Sequence, residues 1–214
     1  AINAAGLASG ISTNLNIAKN MEKALRAEPS FFRVSLSGFH QHTYERGHVG
    51  GNIEVVKQNM IKLHDFKQQH NLGTLIEVYY HRYLDNLEEE GLMREFSERL
   101  GFKFTTGYSV MMPLEKTLAI IELDPSVTEA DRETLTRLAL PPYDDLINLI
   151  KHYPKQACDL KDNMLVLDCN GNAVLCCSIF NQSEYQVGKY LDLPLKQLIN
   201  RKSTQQNCVD MCSR

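Results

Sequence analysis

The feature that most restricts the fold is an alternation of short apolar runs with amphipathic helical stretches through the first half of the chain. Gly10–Asn14 (GISTN) reads as a short strand ending in polar residues. Residues 16–27 read as a helix with Ile17, Met21, Ala24 and Leu25 on one face, ended by Pro29. Phe31–Leu36 (FFRVSL) is a strand, and Ser37-Gly38 a turn after it. The next helix runs from Asn52 to His70: Asn52 suits the N-cap, Ile53, Val56, Met60 and Leu63 recur at helical spacing, and Asn71 and Gly73 stop it. Leu75–Tyr80 (LIEVYY) follows as a strand, then a helix over 88–100 expected to bury Leu92, Met93, Phe96 and Leu100. Gly101 caps that helix, and Phe102–Tyr108 (FKFTTGY) is the fourth strand. Strands alternating with helices across short connections predict right-handed βαβ units and a parallel sheet. Runs such as FFRVSL and LIEVYY suit strands buried on both faces. Four strands are too few for a closed eight-stranded barrel, so the expectation is an open or partial one.

The character changes after residue 112. Pro113, Pro125, Pro141-Pro142 and Pro154 punctuate the stretch 113–157. Thr128 with Asp131 forms a capping pattern before a helix near 129–139, and Pro142 leads a second helix over 143–152. This stretch reads as a helical connector. From Cys158 onward, Met164–Leu167 (MLVL) and Ala173–Cys176 (AVLC) flank Asn170-Gly171, which predicts a hairpin. A helix over 194–201 then leads to Cys208 and Cys212. The expected domains are 1–112, 113–157 and 158–214.

All six cysteines lie between Cys158 and Cys212, which points to one local site. Disulfides would need an oxidising compartment, no secretion signal is visible, and the adjacent Cys176-Cys177 pair is awkward to bridge. A metal or cluster site is expected instead, in a cytoplasmic protein. Cys158 precedes the hairpin, Cys176 ends its second strand, and Cys208 and Cys212 stand three residues apart. Four thiolates from three places can close on an iron–sulfur cluster, or on tetrahedral zinc. Cys177 is the alternative to Cys176, and Cys169 reads as a hairpin residue. Buried free cysteines are the plain reading against which the site is weighed.

Elsewhere the chemistry is quieter. The net charge of −3 gives no argument for nucleic acid or a membrane surface, and runs such as Leu118–Ile121 are far too short to span a bilayer. His40, His42 and His48 read as a polar loop before a helix, and Glu88-Glu89-Glu90 as a charged first turn. No nucleophile elbow, phosphate-binding glycine loop or basic–aromatic stripe is present.

The spacing Cys158, twelve residues, Gly171, four residues, Cys176 resembles the opening of the SPASM signature. Val187-Gly188 and the LKQLIN helix resemble the segment leading to that motif's later cysteines, and Cys208-x-x-x-Cys212 resembles its late pair. Upstream, Phe32–Gly38 (FRVSLSG) resembles the radical SAM strand ending in Ser-Leu-Asp-Gly, with Ser37 in place of the Asp. Tyr44-Glu45-Arg46-Gly47, then Gly51–Val56, resemble the family's Arg-Gly and Gly-x-Phe-x-x-Val elements, and Ile11–Asn14 the strand ending in Thr-Asn.

The resemblance implies an α/β chain: the later part of a parallel (β/α) radical SAM barrel, a partial TIM barrel, followed by a small cysteine-rich α+β SPASM/twitch domain. It implies one auxiliary [4Fe–4S] cluster held by Cys158, Cys176, Cys208 and Cys212. It also implies S-adenosylmethionine or substrate contacts at the strand ends, from Asn14, Ser35, Ser37 and Arg82. The implied activity is hydrogen abstraction from a peptide, protein or sugar through a 5′-deoxyadenosyl radical, with a reductase as electron donor. The family's Cys-x-x-x-Cys-x-x-Cys triplet and Gly-Gly-Glu segment are absent, which implies a chain truncated before Ala1 and inactive alone. The competing expectation is a non-catalytic metal-binding module, with structural zinc or an electron-transfer cluster, on a degenerate barrel.

Overall fold

The computed structural model describes residues 2–109, 111–138, 163–180 and 185–204. It divides into two compact units, Ala1–Ser109 with Arg137–Leu140, and Val110–Thr136 with Pro141–Arg214.

The first unit is a parallel α/β layer. Strands β1 (Gly10–Thr13), β2 (Phe31–Leu36), β3 (Leu75–Arg82) and β4 (Lys103–Tyr108) pair in that order, all parallel. Between them run α1 (Met21–Arg26), α2 (Gln41–Gly47), α3 (Ile53–Gln69) and α4 (Glu90–Arg99). Strand side chains alternate between faces. Phe32, Val34 and Leu36 of β2 and Ile76, Val78 and Tyr80 of β3 form one core with Leu25, Tyr44, Val56, Met60, Leu63 and Met93 of the helices. Asn52 caps α3 as its sequence predicts, its side-chain oxygen accepting the N–H groups of Glu54 and Val55. Gly101 turns the chain after α4 at φ +67°.

The opposite face corrects the expectation of strands buried on both sides. Arg33, Ser35, Tyr79, His81 and Thr105 stand there part-exposed, and Ser12 and Lys103 exposed. The even positions of β2 and β3 carry the hydrophobic load, and the odd ones are mostly polar.

Three further differences have local causes. The first helix begins at Met21, not near residue 16, because Thr13 and Asn14 turn their side chains onto the N–H groups of Leu15 and Asn16; Ile17 is left 82% exposed. The stretch around His42 forms α2 instead of a loop. Its start is fixed by Glu89, which accepts from the N–H groups of Phe39 and His40 and the hydroxyl of Thr43. Glu88–Glu90 forms a charged first turn as expected, with a 3-10 turn over Leu87–Glu89 leading into α4, but Glu89 is buried and Glu90 pairs with Arg82 and Arg94. Leu92, expected in the core, is 43% exposed.

In the second unit, α5 (Leu114–Ile121) and α6 (Glu129–Arg137) precede β5 (Val166–Leu167), β6 (Asn172–Val174), β7 (Gln186–Lys189) and α7 (Leu195–Ser203). The α5 helix was not foreseen; it covers the apolar run at Leu118–Ile121. Thr128 and Asp131 cap α6 reciprocally, as their spacing predicts, and Lys116 adds an ion pair to Asp131. The three short strands form an antiparallel sheet in the order β5-β6-β7. Asp168 closes the β5–β6 turn by accepting from the N–H groups of Asn170 and Asn172, both at 2.8 Å, and Gly171 takes φ +76°. Ala173, Val187 and Leu198 form a small core, and Leu175 and Ile179 a second with Leu114 and Leu118. The helix expected over 143–152 lies outside the described residues.

Candidate functional site

In open parallel sheets and in barrels, ligands gather at the carboxyl ends of the strands. The polar face of the first unit ends there in a cluster drawn from β1, β2, β3 and the segment after α2. Ser12 and Ser35 hydroxyls lie 3.2 Å apart on adjacent strands. Ser37, just past β2, is buried, and its Oγ is 2.9 Å from Nδ1 of His48. A Cβ on Gly47 would collide with that Oγ, so only glycine leaves room for the pair. His48 stacks flat on Tyr44, with ring centroids 4.5 Å apart. Tyr44 in turn accepts from Asn16, whose carbonyl oxygen takes the N–H of Asn52. The loop after β1, helix α2 and the start of α3 are thus tied together behind the imidazole.

On β3, Tyr79 and His81 meet edge to face at 4.9 Å. The Tyr79 hydroxyl occupies the space that Gly107 leaves empty by lacking a Cβ. Arg33 stands over the Tyr79 ring at 4.9 Å and donates to Glu77 at 2.7 Å, and Thr105 donates to the other Glu77 oxygen at 2.9 Å. Burial pushes the Glu77 carboxyl up, but the bonds from Arg33 and Thr105 outweigh it and hold the carboxyl below its ordinary range. Burial lowers His81, and the charge of Arg33 lowers it further. Burial likewise lowers His48, with repulsion from His81 second, while the backbone of Ser35 and Tyr44 offsets part of the effect.

Of the four strand-end residues singled out in the sequence, Ser35 and Ser37 join this cluster. Asn14 is exposed, and its oxygen is engaged in its own turn. Arg82 ends β3, but its guanidinium is bidentate on Glu90 of α4, at 2.6 and 3.0 Å, and lies over Tyr108. It belongs to the helix side of the sheet. Ser12, His48, Tyr79 and His81 were missed. The signal was the polar alternation Arg33-x-Ser35 and Glu77-x-Tyr79-x-His81, hidden by reading both runs as apolar.

The cysteine site is described only in part. Cys158, Cys208 and Cys212 lie outside the described residues. Cys176 is part-buried beside Leu175 and Ile179, two residues past β6, and its sulfur accepts the N–H of Ser178 at 3.4 Å. Cys177 and Cys169 are exposed. Among the described residues, no group of three or more His, Cys, Asp or Glu side chains is arranged to hold a metal ion. Nor is any described helix long and apolar enough to cross a membrane.

The described residues thus define an α/β protein: a parallel layer with one apolar and one mostly polar face, and a small antiparallel sheet with Cys169 and Cys176 in the segments beside its strands. No family model matches the chain, and no curated protein matches it.

Proposed function

We propose that this chain is the C-terminal portion of a radical SAM/SPASM enzyme: an arc of the barrel wall followed by an auxiliary-cluster domain. The observation that carries this reading is the form of the first unit. Its parallel strands run in consecutive order, its helices bury one face, and a polar face remains on the other. A doubly wound sheet reverses its strand order and is covered on both faces. A barrel wall does neither, and its ligands gather at the carboxyl ends of its strands.

The residues present suit the groups the reading requires. Ser35 and Ser37 would offer hydroxyls at the strand ends toward S-adenosylmethionine or substrate on leaving Ser12 and His48, as Asn14 and Arg82 would on leaving their own partners. Cys158, Cys176, Cys208 and Cys212 would hold the auxiliary [4Fe–4S] cluster. An amide N–H on the sulfur of Cys176, together with its partial burial, favours it over exposed Cys177, because hydrogen bonds to ligand sulfurs tune such sites. In the whole enzyme a cluster on the missing Cys-x-x-x-Cys-x-x-Cys triplet would supply the electron that cleaves S-adenosylmethionine for hydrogen abstraction from a peptide, protein or sugar, with a cytoplasmic reductase as electron donor, and the auxiliary cluster would accept an electron or bind substrate. The chain's own contribution is to bind, orient and shield.

Anaerobic reconstitution with iron and sulfide tests the reading. About four irons and four sulfides per chain are expected. Cys176→Ala should abolish them and Cys177→Ala should not. One zinc without labile sulfide would overturn the cluster assignment and leave a structural metal-binding module.

A further inference from the structure

One attachment within the first unit hangs almost wholly on a single side chain. Arg137 and Leu138 follow α6 but belong to the unit of β1–β4, which the chain re-enters at Arg137. Leu138 makes an isolated antiparallel bridge to Tyr83, just past β3, and the N–H of Leu84 donates to the Arg137 carbonyl at 2.9 Å. The Arg137 guanidinium does the rest. Its Nε donates to Asp85 at 3.0 Å and its Nη1 to the backbone carbonyl of Arg46 at 3.2 Å. Its carbon stands over the Tyr83 ring, 5.1 Å from the centroid. Arg46 pairs with the same Asp85 oxygen, so one carboxylate serves two guanidinium groups.

These contacts end beside the Ser37–His48 pair. Arg46 directly precedes Gly47 and His48 in the chain. A Cβ on Gly47 would run into Ser37 Oγ and would also lie 3.9 Å from the Tyr83 ring, so Tyr83 borders the space in which Ser37 is buried. The guanidinium therefore touches two sides of that space at once: the ring of Tyr83 and the backbone that leads into Gly47. We propose that Arg137 and Leu138 form a releasable strap that closes in the Ser37–His48 pair, with Arg137 as its latch.

Three features make the strap releasable. Its backbone is joined at an isolated bridge and not along a ladder, and such lightly held segments open more readily than the core. Its polar contacts come from one fork-shaped group that reaches a carboxylate, a carbonyl and a ring together, so they are lost together. When Arg137 leaves, Asp85 keeps Arg46 as a partner, which lowers the cost of opening. Opening frees the Tyr83 ring and the Arg46 carbonyl, and the imidazole of His48 then meets solvent. The strap is built from this chain's own side chains and works with or without a cluster.

The test treats the full chain with diethyl pyrocarbonate, which acylates neutral imidazoles, and reads the rate at each histidine by mass spectrometry. Hydrogen exchange at the Leu84 amide reports whether the strap is attached, and exposed His42 is the internal reference. Arg137→Ala should speed both Leu84 exchange and His48 acylation several-fold, with the His42 rate unchanged. Arg137→Lys keeps the charge without the fork and should fall between. Asp85→Asn weakens the latch from the other side and should act as Arg137→Ala does, and the protected amides of β2 and β3 verify that each variant is folded. If Leu84 exchanges faster in Arg137→Ala while His48 reacts no faster relative to His42, the strap is only an anchor and the proposal is overturned. It is equally overturned if Leu84 keeps its protection, because Arg137 then latches nothing.

Discussion

Glu89 offers the sharpest test of how the first unit is held together. Its carboxylate is nearly buried and takes three hydrogen bonds, from the N–H groups of Phe39 (2.6 Å) and His40 (3.0 Å) and from Thr43 Oγ1 (2.6 Å). These fix the start of α2 and, through it, the segment that places Ser37 and His48. Glu89→Gln keeps the shape. Its carbonyl oxygen can serve the two backbone donors while its NH2 faces Thr43, whose hydroxyl turns to accept. The charge is lost. A hydrogen bond to a charged group contributes about 1.5–3 kcal/mol and a neutral one about 1, so three such exchanges cost about 1.5–6 kcal/mol. Urea unfolding followed by far-UV circular dichroism measures the loss, and hydrogen exchange at the Phe39 and His40 amides locates it. The pH dependence supplies a second check. Burial pushes the Glu89 carboxyl up, but the bonds from Thr43, Phe39 and His40 prevail, and its folded value lies below the ordinary 4.5. Its contribution is fully present above 4.5 and disappears as pH falls through the folded value. The gap between wild type and variant must close over that same window. A loss under about 0.5 kcal/mol at pH 7, or a gap that persists at acid pH, would refute the capping role.

Other outcomes follow from the same structure. Asn52→Ala removes the acceptor for two N–H groups at the start of α3 and should cost about 1 kcal/mol in urea unfolding. Gly107→Ala forces the Tyr79 ring from its place, which should cost about 1–3 kcal/mol and shift the His81 resonances, whereas Gly73→Ala, which meets nothing, should leave those resonances in place. His48 and His81 both have depressed folded values, so they stabilise fully above their unfolded value near 6.5 and that stability is lost as pH falls through the folded values. Replacing both with Gln should flatten the stability profile just below 6.5, as thermal unfolding at a series of pH values would show.

Local signals were read well from the sequence. Asn52 at an N-cap, Gly101 beyond a helix, Thr128 with Asp131, and Asn170-Gly171 between apolar runs each act within a few residues, and each appears where expected. Helix α2 was invisible for the opposite reason: its cap comes from Glu89, 46–50 residues away along the chain. The same distance effect governs the site. Ser35 and Ser37 sit beside a recognisable strand, but His48 joins them through a fold-back of eleven residues. His81 reaches the cluster only once β3 is paired in register with β2. Arg82 shows the limit of position as a guide: it ends the right strand, yet the alternation turns it to the helix side and Glu90 holds it there.

Consecutive strand order has a consequence for how the chain acquires its shape. Gly10 pairs with Phe31, Phe31 with Leu75, and Glu77 with Lys103, so every pairing joins a strand to the one synthesised just before it. Among the described residues, no strand must wait for a distant partner or be threaded between two others. The loop from β2 to β3 is about twice as long as that from β1 to β2, which adds only about 0.6 kcal/mol of closure entropy. Each βα segment leaving the ribosome can therefore dock on an edge that already exists, growing the sheet in the order of translation and keeping each new apolar strand face exposed only until its helix arrives.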